Sequence, residues 1–368
     1  MHRTKSSALA AVILILWPLL AGSSPARAAS DPPDDQAEAL IKDGHWKRAR
    51  AILGPQVDAH PQDARACYLY AEVKMAFKFF DGALPLAQHA VELDSRNSDY
   101  HLKLGQIYGE LAERASYFSA VPLAIKFRKE VELAIQLDPR NLDALDTMML
   151  FKYQAPYVLG GDYGEARALA DKITALNPSE GYLSHAELAE LEKNFAQMEA
   201  FYLKAVLANP RNYEARTALA NFYSRSPLAK FDEAVKHAQY AVQLAPQRIG
   251  GYWILARVFA LQQRWGDLEQ ILAASAKNIP DDPRPLYEAA QALLETGKDL
   301  PRAEGYAEKY LAQDQEGEEP KAGDTHLLLG LLFEKEGQTA VARAEFHKAL
   351  RYEADSKAAK DGLKRVHD

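Results

Sequence analysis

One helix ending recurs along this chain with a period of about 34 residues. Ala87–Asn97 reads AQHAVELDSRN, Val131–Asn141 VELAIQLDPRN, Tyr202–Asn212 YLKAVLANPRN, Ala238–Arg248 AQYAVQLAPQR, and Phe346–Ser356 FHKALRYEADS. Each carries an Ala in mid-helix, an apolar residue near its end and, in most copies, a Pro just past it. A unit this short cannot bury its own apolar face, so copies in tandem must stack on one another. The repetition therefore predicts an all-α solenoid of helical hairpins, whose product is a long surface rather than an enclosed chamber.

The unit Tyr213–Arg248 shows the pattern in detail. Its first helix places Leu219, Ala220 and Tyr223 on one face, and its second places Ala234, Ala238 and Ala241 at i, i+4 and i+7. Small side chains at that spacing let two helices approach closely. Pro246 then ends the second helix, because proline cannot continue the hydrogen-bond ladder.

At these residues the chain resembles tetratricopeptide repeat (TPR) proteins. Their pattern of a large residue, Leu-Gly or Leu-Ala and Tyr on helix A is matched at Leu104-Gly105 with Tyr108, at Leu219-Ala220 with Tyr223, and at Leu329-Gly330 with Phe333. Helix B matches at Ala49 with Pro61, Ala134 with Pro139, Tyr202 and Ala205 with Pro210, and Ala342, Phe346 and Ala349. The resemblance implies a right-handed superhelical solenoid of about nine helix-turn-helix units, near 30–63, 64–97, 98–141, 142–178, 179–212, 213–248, 249–282, 283–322 and 323–356. The first unit departs from the pattern: its helix A reads Asp31-Pro-Pro-Asp-Asp35 and is expected to be degraded, a half-repeat cap. Residues 357–368 read as a charged, amphipathic capping helix, which an open-ended solenoid needs.

The first 28 residues are expected to lie outside the fold. A basic start (Arg3, Lys5), an apolar run from Leu9 to Leu20 and the small-x-small site Ala26-Arg-Ala28 describe a cleavable signal peptide. The run is short for a bilayer span, so no stable transmembrane helix is expected after cleavage near Ala29. The solenoid then spans 29–356 and the expected location is periplasmic. Three of the 44 basic residues and none of the 51 acidic ones fall in the leader, so the remainder carries 41 against 51, a net −10. That balance, with no basic stripe, argues against nucleic acid as a partner. The single cysteine, Cys67, sits in a helical pattern at a position expected to be buried.

Two adjacent units carry extra apolar residues between their helices: 113–126, with Tyr117 and Phe118, and 154–162, with Tyr157. Insertions in repeat proteins fall on one edge, often a working one. Bare apolar loops are unfavourable in water, so the expectation is that they pack on each other as a buttress, with a partner-binding knob as the rival reading. Residues 312–323, polar and acidic, read as a long solvated loop or a hinge.

No sequence pattern for catalysis stands out. Phosphate-binding glycine loops, H-E-x-x-H and G-x-S-x-G are all missing, and Glu187, Glu190 and Glu192 read as a solvated helix face. No enzyme, metal or cofactor is expected. What remains is the concave surface. In the TPR pattern the second, fifth, ninth and twelfth residues of helix A face the groove; the resemblance thereby implies Tyr68, Met75, Leu102, Leu150, Tyr153, Leu183, Asn221, Trp253, Arg257, Tyr287, Leu327 and Leu331. The set predicts an apolar and aromatic groove for an extended or helical peptide. The expected function is a non-catalytic protein-interaction adaptor of the bacterial envelope. The alternative is a structural scaffold subunit of a larger secretion or polysaccharide-export assembly.

Overall fold

The computed structural model describes residues 32–225, 229–317 and 320–366, apart from the side chain of Tyr117. The expected signal peptide and the last two residues lie outside the described residues. Nineteen α-helices and one 3-10 turn make up the described chain, with no strand among the described residues. The helices pair as antiparallel hairpins in chain order: α1 (Pro33–Asp43) with α2 (Trp46–Ala59), α3 (Ala64–Ala76) with α4 (Phe80–Leu93), and α5 (Ser98–Arg114) with α6 (Tyr117–Leu137). Then come α7 (Leu142–Gln154) with α8 (Tyr163–Leu176), α9 (Pro178–Leu191) with α10 (Phe195–Ala208), and α11 (Tyr213–Arg225) with α12 (Phe231–Leu244). The last are α13 (Gly250–Leu261) with α14 (Trp265–Asn278), α15 (Arg284–Thr296) with α16 (Leu300–Leu311), and α17 (Ala322–Lys335) with α18 (Thr339–Tyr352). A closing helix, α19 (Lys357–Arg365), packs on the ninth hairpin.

Small residues set the spacing of these helices. Ala134, Ala166, Ala170, Ala205, Ala234, Ala238, Ala241 and Ala303 are all fully buried on their B helices. At Gly105 an added Cβ would sit 2.8 Å from Val131 Cγ2 on α6. At Gly181 it would sit 2.2 Å from the Cα of Thr174. Backbone stands where the side chain would go, so α8 and α9 touch only because residue 181 has none.

The Arg-Asn that closes three of the five helix endings has a structural task. Asn97, Asn141 and Asn212 cap the next A helix, Asn141 Oδ1 accepting from the Ala144 N–H and Asn212 Oδ1 from the Ala215 N–H, both at 3.0 Å. The amide nitrogens of the latter two reach back one repeat. Asn141 Nδ2 donates to Ser98 Oγ at 2.8 Å, and Ser98 Oγ donates to the Ala134 carbonyl at 2.9 Å. The same relay recurs from Asn212 to Ser179 to the Ala205 carbonyl, each step 2.9 Å. One side chain thus ties the end of helix B to the starts of two A helices.

Three expectations need correcting. Helix α1 is a full partner of α2, not a degraded half. Pro33 stands at its first position, where the missing N–H has no intrahelical partner anyway, and Asp34 and Asp35 face the positive end of the helix. The residues inserted in the third unit are not a loop: they lengthen α6 to 21 residues, against the 14 of α2 or α4. Residues 312–321 are not simply solvated, because the Glu316 side chain is buried.

Glu316 is buried against the far end of the chain. All helix pairings join neighbours or next neighbours in sequence order, yet the first turn of α2 meets the turns flanking α15 and α16. Glu316 Oε1 accepts from the Lys47 N–H at 2.6 Å, and Lys47 Nζ donates to the carbonyls of Asp281 and Asp314, both at 2.6 Å. Arg48 pairs with Asp281 at 2.7 Å. The first turn of α2 therefore touches the turns between hairpins seven and eight and between eight and nine. The stack completes one superhelical turn and meets its own opposite edge.

Cohesion differs along the array. One continuous apolar cluster runs from Ala186 to Val366, whereas hairpins one to four hold separate small clusters. Asn212→Ala removes a cap and takes away the hydrogen bond that the buried Ser179 hydroxyl accepts. It is expected to cost about 1–3 kcal/mol, read as a lower urea midpoint with an unchanged slope.

Candidate functional site

The A helices form the inner wall, and two concavities open on it. The first holds about 700 Å³ and is lined mostly by apolar atoms. Successive A helices contribute Met75 (α3), Gln106 and Gly109 (α5), and Leu150 and Phe151 (α7). The two inserted segments close its sides, with Val121 and Phe127 from the extended α6, and Pro156 and Leu159 from the loop after α7. Gln106 Nε2 donates to Thr147 Oγ1 at 3.3 Å across its floor.

The insertions do two things at once. At their bases they pack: Phe127 and Phe151 rings lie 5.1 Å apart, and Arg128 Nη1 donates to the Leu159 carbonyl at 3.1 Å. At their tips they are exposed, Phe118 by 88%, Tyr157 by 88% and Val158 by 86%. Tyr157 and Val158, that exposed, gain little from folding. The expected mutual buttress is confined to the bases.

The second concavity, about 500 Å³, lies one repeat further along and shares α7. Its lining includes Asp143, Asp146, Glu180, Glu187 and Glu214, beside Leu183. Burial pushes the Asp146 carboxyl up, opposed by the Ser184 hydroxyl, which donates to it at 2.5 Å. Burial likewise raises Glu180, despite the bond from Asn212 Nδ2 at 2.8 Å. Glu187 is pushed up to about 7, by burial first and then by Asp146 and Glu190. Glu214 is paired with Arg248 at 2.8 Å; none of the described cations pairs with the other four carboxylates. Each of the four is an acid held without a counter-ion on a recessed wall.

Along hairpins six to eight the wall pairs its own charges. Arg225 Nη2 donates to Glu288 at 2.6 Å and its Nε to Asn221 Oδ1 at 2.9 Å, and its guanidinium lies 5.6 Å from the Trp253 ring centre. Arg257 donates to Glu295 at 2.7 Å and lies 3.8 Å from Glu288.

The groove residues inferred from sequence divide accordingly. Met75 and Leu150 line the first concavity and Leu183 the second. Tyr68 stacks on Tyr100 at 5.1 Å, Tyr153 meets Tyr163 edge-on at 5.0 Å, and Tyr287 lies 5.4 Å from Tyr310. Trp253, Leu327 and Leu331 are half-buried against the large cluster, and Asn221 is held by Arg225. Leu102 and Arg257 are only 5% and 4% exposed. They are removed from the inner surface by packing and by paired carboxylates. Tyr117 has no described side chain.

An apolar preference hid half the site. The position rule that selects Leu150 and Leu183 also selects Asp143, Asp146, Glu180 and Glu187 on the same two helices. Glu187 is accordingly not on a solvated face; Glu190, later on α9, and Glu192, just past its end, do not line the recess. Cys67 is buried and free, its thiol raised by burial, which makes it a core residue rather than a nucleophile. Among the described residues no cluster of three metal-ligating side chains forms, and no helix is long and apolar enough to cross a membrane.

No protein-family model matches the sequence, and no curated protein matches it. Solved structures do. A thermophilic TPR protein of Thermus thermophilus is 21% identical over 52% of this chain and 96% of its own, with a TM-score of 0.45. A TPR protein from Parabacteroides merdae is 16% identical over 72% and 100%, with a TM-score of 0.48. Yeast Tom70 is 13% identical over 91% of this chain and 80% of its own, with a TM-score of 0.51. The Tom70 likeness spans nearly the whole array and shows the fold: a right-handed superhelical TPR solenoid.

Two outcomes test the site. Tyr157→Ser is expected to leave stability nearly unchanged, within about 0.5 kcal/mol, while Phe127→Ala costs about 2–4 kcal/mol, both by urea unfolding. The raised Glu187 means that the folded state holds a proton that the unfolded chain releases near its ordinary value of 4.5. Stability therefore falls as pH rises from about 4.5 to about 7. Glu187→Gln should flatten that part of the stability-versus-pH curve.

Proposed function

We propose that this protein is a non-catalytic adaptor that holds a segment of a protein partner along the inner wall of its solenoid. The observation that carries the reading is the apolar concavity between hairpins two and four, adjoining four carboxylates that have no cation of their own. An apolar recess beside unpaired negative charge suits a segment with apolar anchors followed by Lys or Arg. The wall beyond it, with its arginines and glutamates already paired, offers complementarity but little to bind. A TPR fold is in keeping with protein partners, and the unpaired carboxylates count against a polyanionic one.

Export to the periplasm of a Gram-negative-type bacterium is part of the proposal. It rests on the basic start, the apolar run and the Ala26-Arg-Ala28 site. Sequencing the amino terminus of the protein recovered from the envelope fraction is expected to begin near Ala29; an intact Met1 would remove this part.

A photo-reactive amino acid at Leu150, used in intact cells, is expected to yield a discrete protein adduct. The same group at exposed Gln197, on a B helix, should yield none. Equal labelling at both positions, or none at Leu150, would overturn the adaptor reading. The exposed Tyr157 and Val158 favour a second reading, a scaffold subunit docked by its edge. Adducts from Tyr157 but not from Leu150 would select it.

A further inference from the structure

We propose that the contact between the first hairpin and the turns flanking α15 and α16 is a latch, which sets the balance between a closed superhelical turn and an open spiral. The proposal goes beyond the partner-binding reading and holds whatever occupies the inner wall.

Topology comes first. Packing in this fold passes only between neighbours and next neighbours. Among the described residues, every other hydrogen bond joins positions no more than 63 apart, the span of Arg225 to Glu288, whereas those of Lys47 and Arg48 span 233 to 269. A stack held by nearest neighbours is a spring, and its ends meet only if something holds them together.

Chemistry comes next. The contact is polar on both sides: His45, Lys47 and Arg48 from the first hairpin, and Asp281, Asp314 and Glu316 from the far turns. None of the buried apolar clusters crosses the seam; the first hairpin's own cluster stops at Phe77. Lys47 Nζ is held by two carbonyls at 2.6 Å, one from each turn, and the Glu316 carboxylate is fully buried on the Lys47 N–H. Trp46 and the Ala76 carbonyl stand near Gly317, where even a Cβ would lie 3.2 Å from that carbonyl. Such a seam has defined geometry and little apolar burial, the composition of an interface that opens without unfolding either side.

The latch also has a direction in pH. Burial pushes Glu316 up to about 7, against the pull of the Lys47 N–H and ammonium. Asp281 and Asp282 push it the same way as burial; Arg48 and His45 face Asp281, and Arg284 is paired with Asp282. The closed form therefore holds the Glu316 proton more tightly than the open form, where the carboxyl is hydrated. The Glu316 contribution to closure is therefore largest below its ordinary carboxyl value and is lost as pH rises through about 7.

The experiment is a distance measurement by pulsed electron resonance on the full chain. Nitroxides are placed at Ala51→Cys on α2 and Lys277→Cys on α14, in a Cys67→Ala background. At about pH 5 the expected result is one narrow, short distance, and at about pH 8 a growing longer population. Lys47→Ala with Arg48→Ala should raise the long-distance fraction about tenfold at both pH values, with unchanged helical circular dichroism. Glu316→Gln should remove the pH dependence. If the double variant keeps the narrow distance while remaining helical, the latch is refuted. Should that variant unfold, the unsubstituted latch decides: one unchanged distance from about pH 5 to about pH 8 refutes the proposal equally.

Discussion

Close helix contact at small side chains is the constraint from which the rest of the architecture follows. Alanines line the B helices, and at Gly181 a backbone occupies the place of a Cβ. Only a stack with such spacing can pass its apolar face from one hairpin to the next. The outcome is a core that is long and thin, and an inner wall built from one helix of every pair. The asparagine relay works at the same seams. At α7 and α11 it supplies an orphan N–H of the A helix and a late carbonyl of the preceding B helix, so polar groups exposed at those two junctions are satisfied locally.

Nearest-neighbour packing has a second consequence. Cohesion is a local property, and this chain distributes it unevenly. The later hairpins share one continuous apolar cluster, while the earlier ones hold several small ones. Both concavities of the inner wall include residues of α7, at the junction of these regimes, and the larger one is framed by the two insertions. Recessed surface survives where core is discontinuous, because continuous packing would have filled it. The paired arginines of hairpins six to eight illustrate the opposite case: Arg257 has Glu288 and Glu295 as its counter-charges within the wall itself.

Much of this could be read from the amino acids, for a definite reason. Periodicity reports which face of a helix is buried, and repetition multiplies the signal, so hairpin count, helix class and the alanine seams were legible. The position rule for the inner wall was legible too, and it reached Met75, Leu150 and Leu183. Its acidic half was passed over because charge on a helix usually means solvent; only the curvature of the stack recesses Asp146, Glu180 and Glu187 together. Leu102 and Arg257 obey the same rule and are nonetheless buried, since neighbouring side chains decide access where spacing alone does not.

What the sequence by itself determined is local: helices, their caps, their stops, and the small residues that let them pair. These depend on contacts within one or two repeats, which a repeating pattern encodes directly. What only the tertiary structure decided is where distant repeats arrive. A small rotation per hairpin, summed along the stack, brings Lys47 to Glu316 across 269 positions. No motif records that meeting, because it is a property of accumulated geometry and not of any residue's neighbours in the chain.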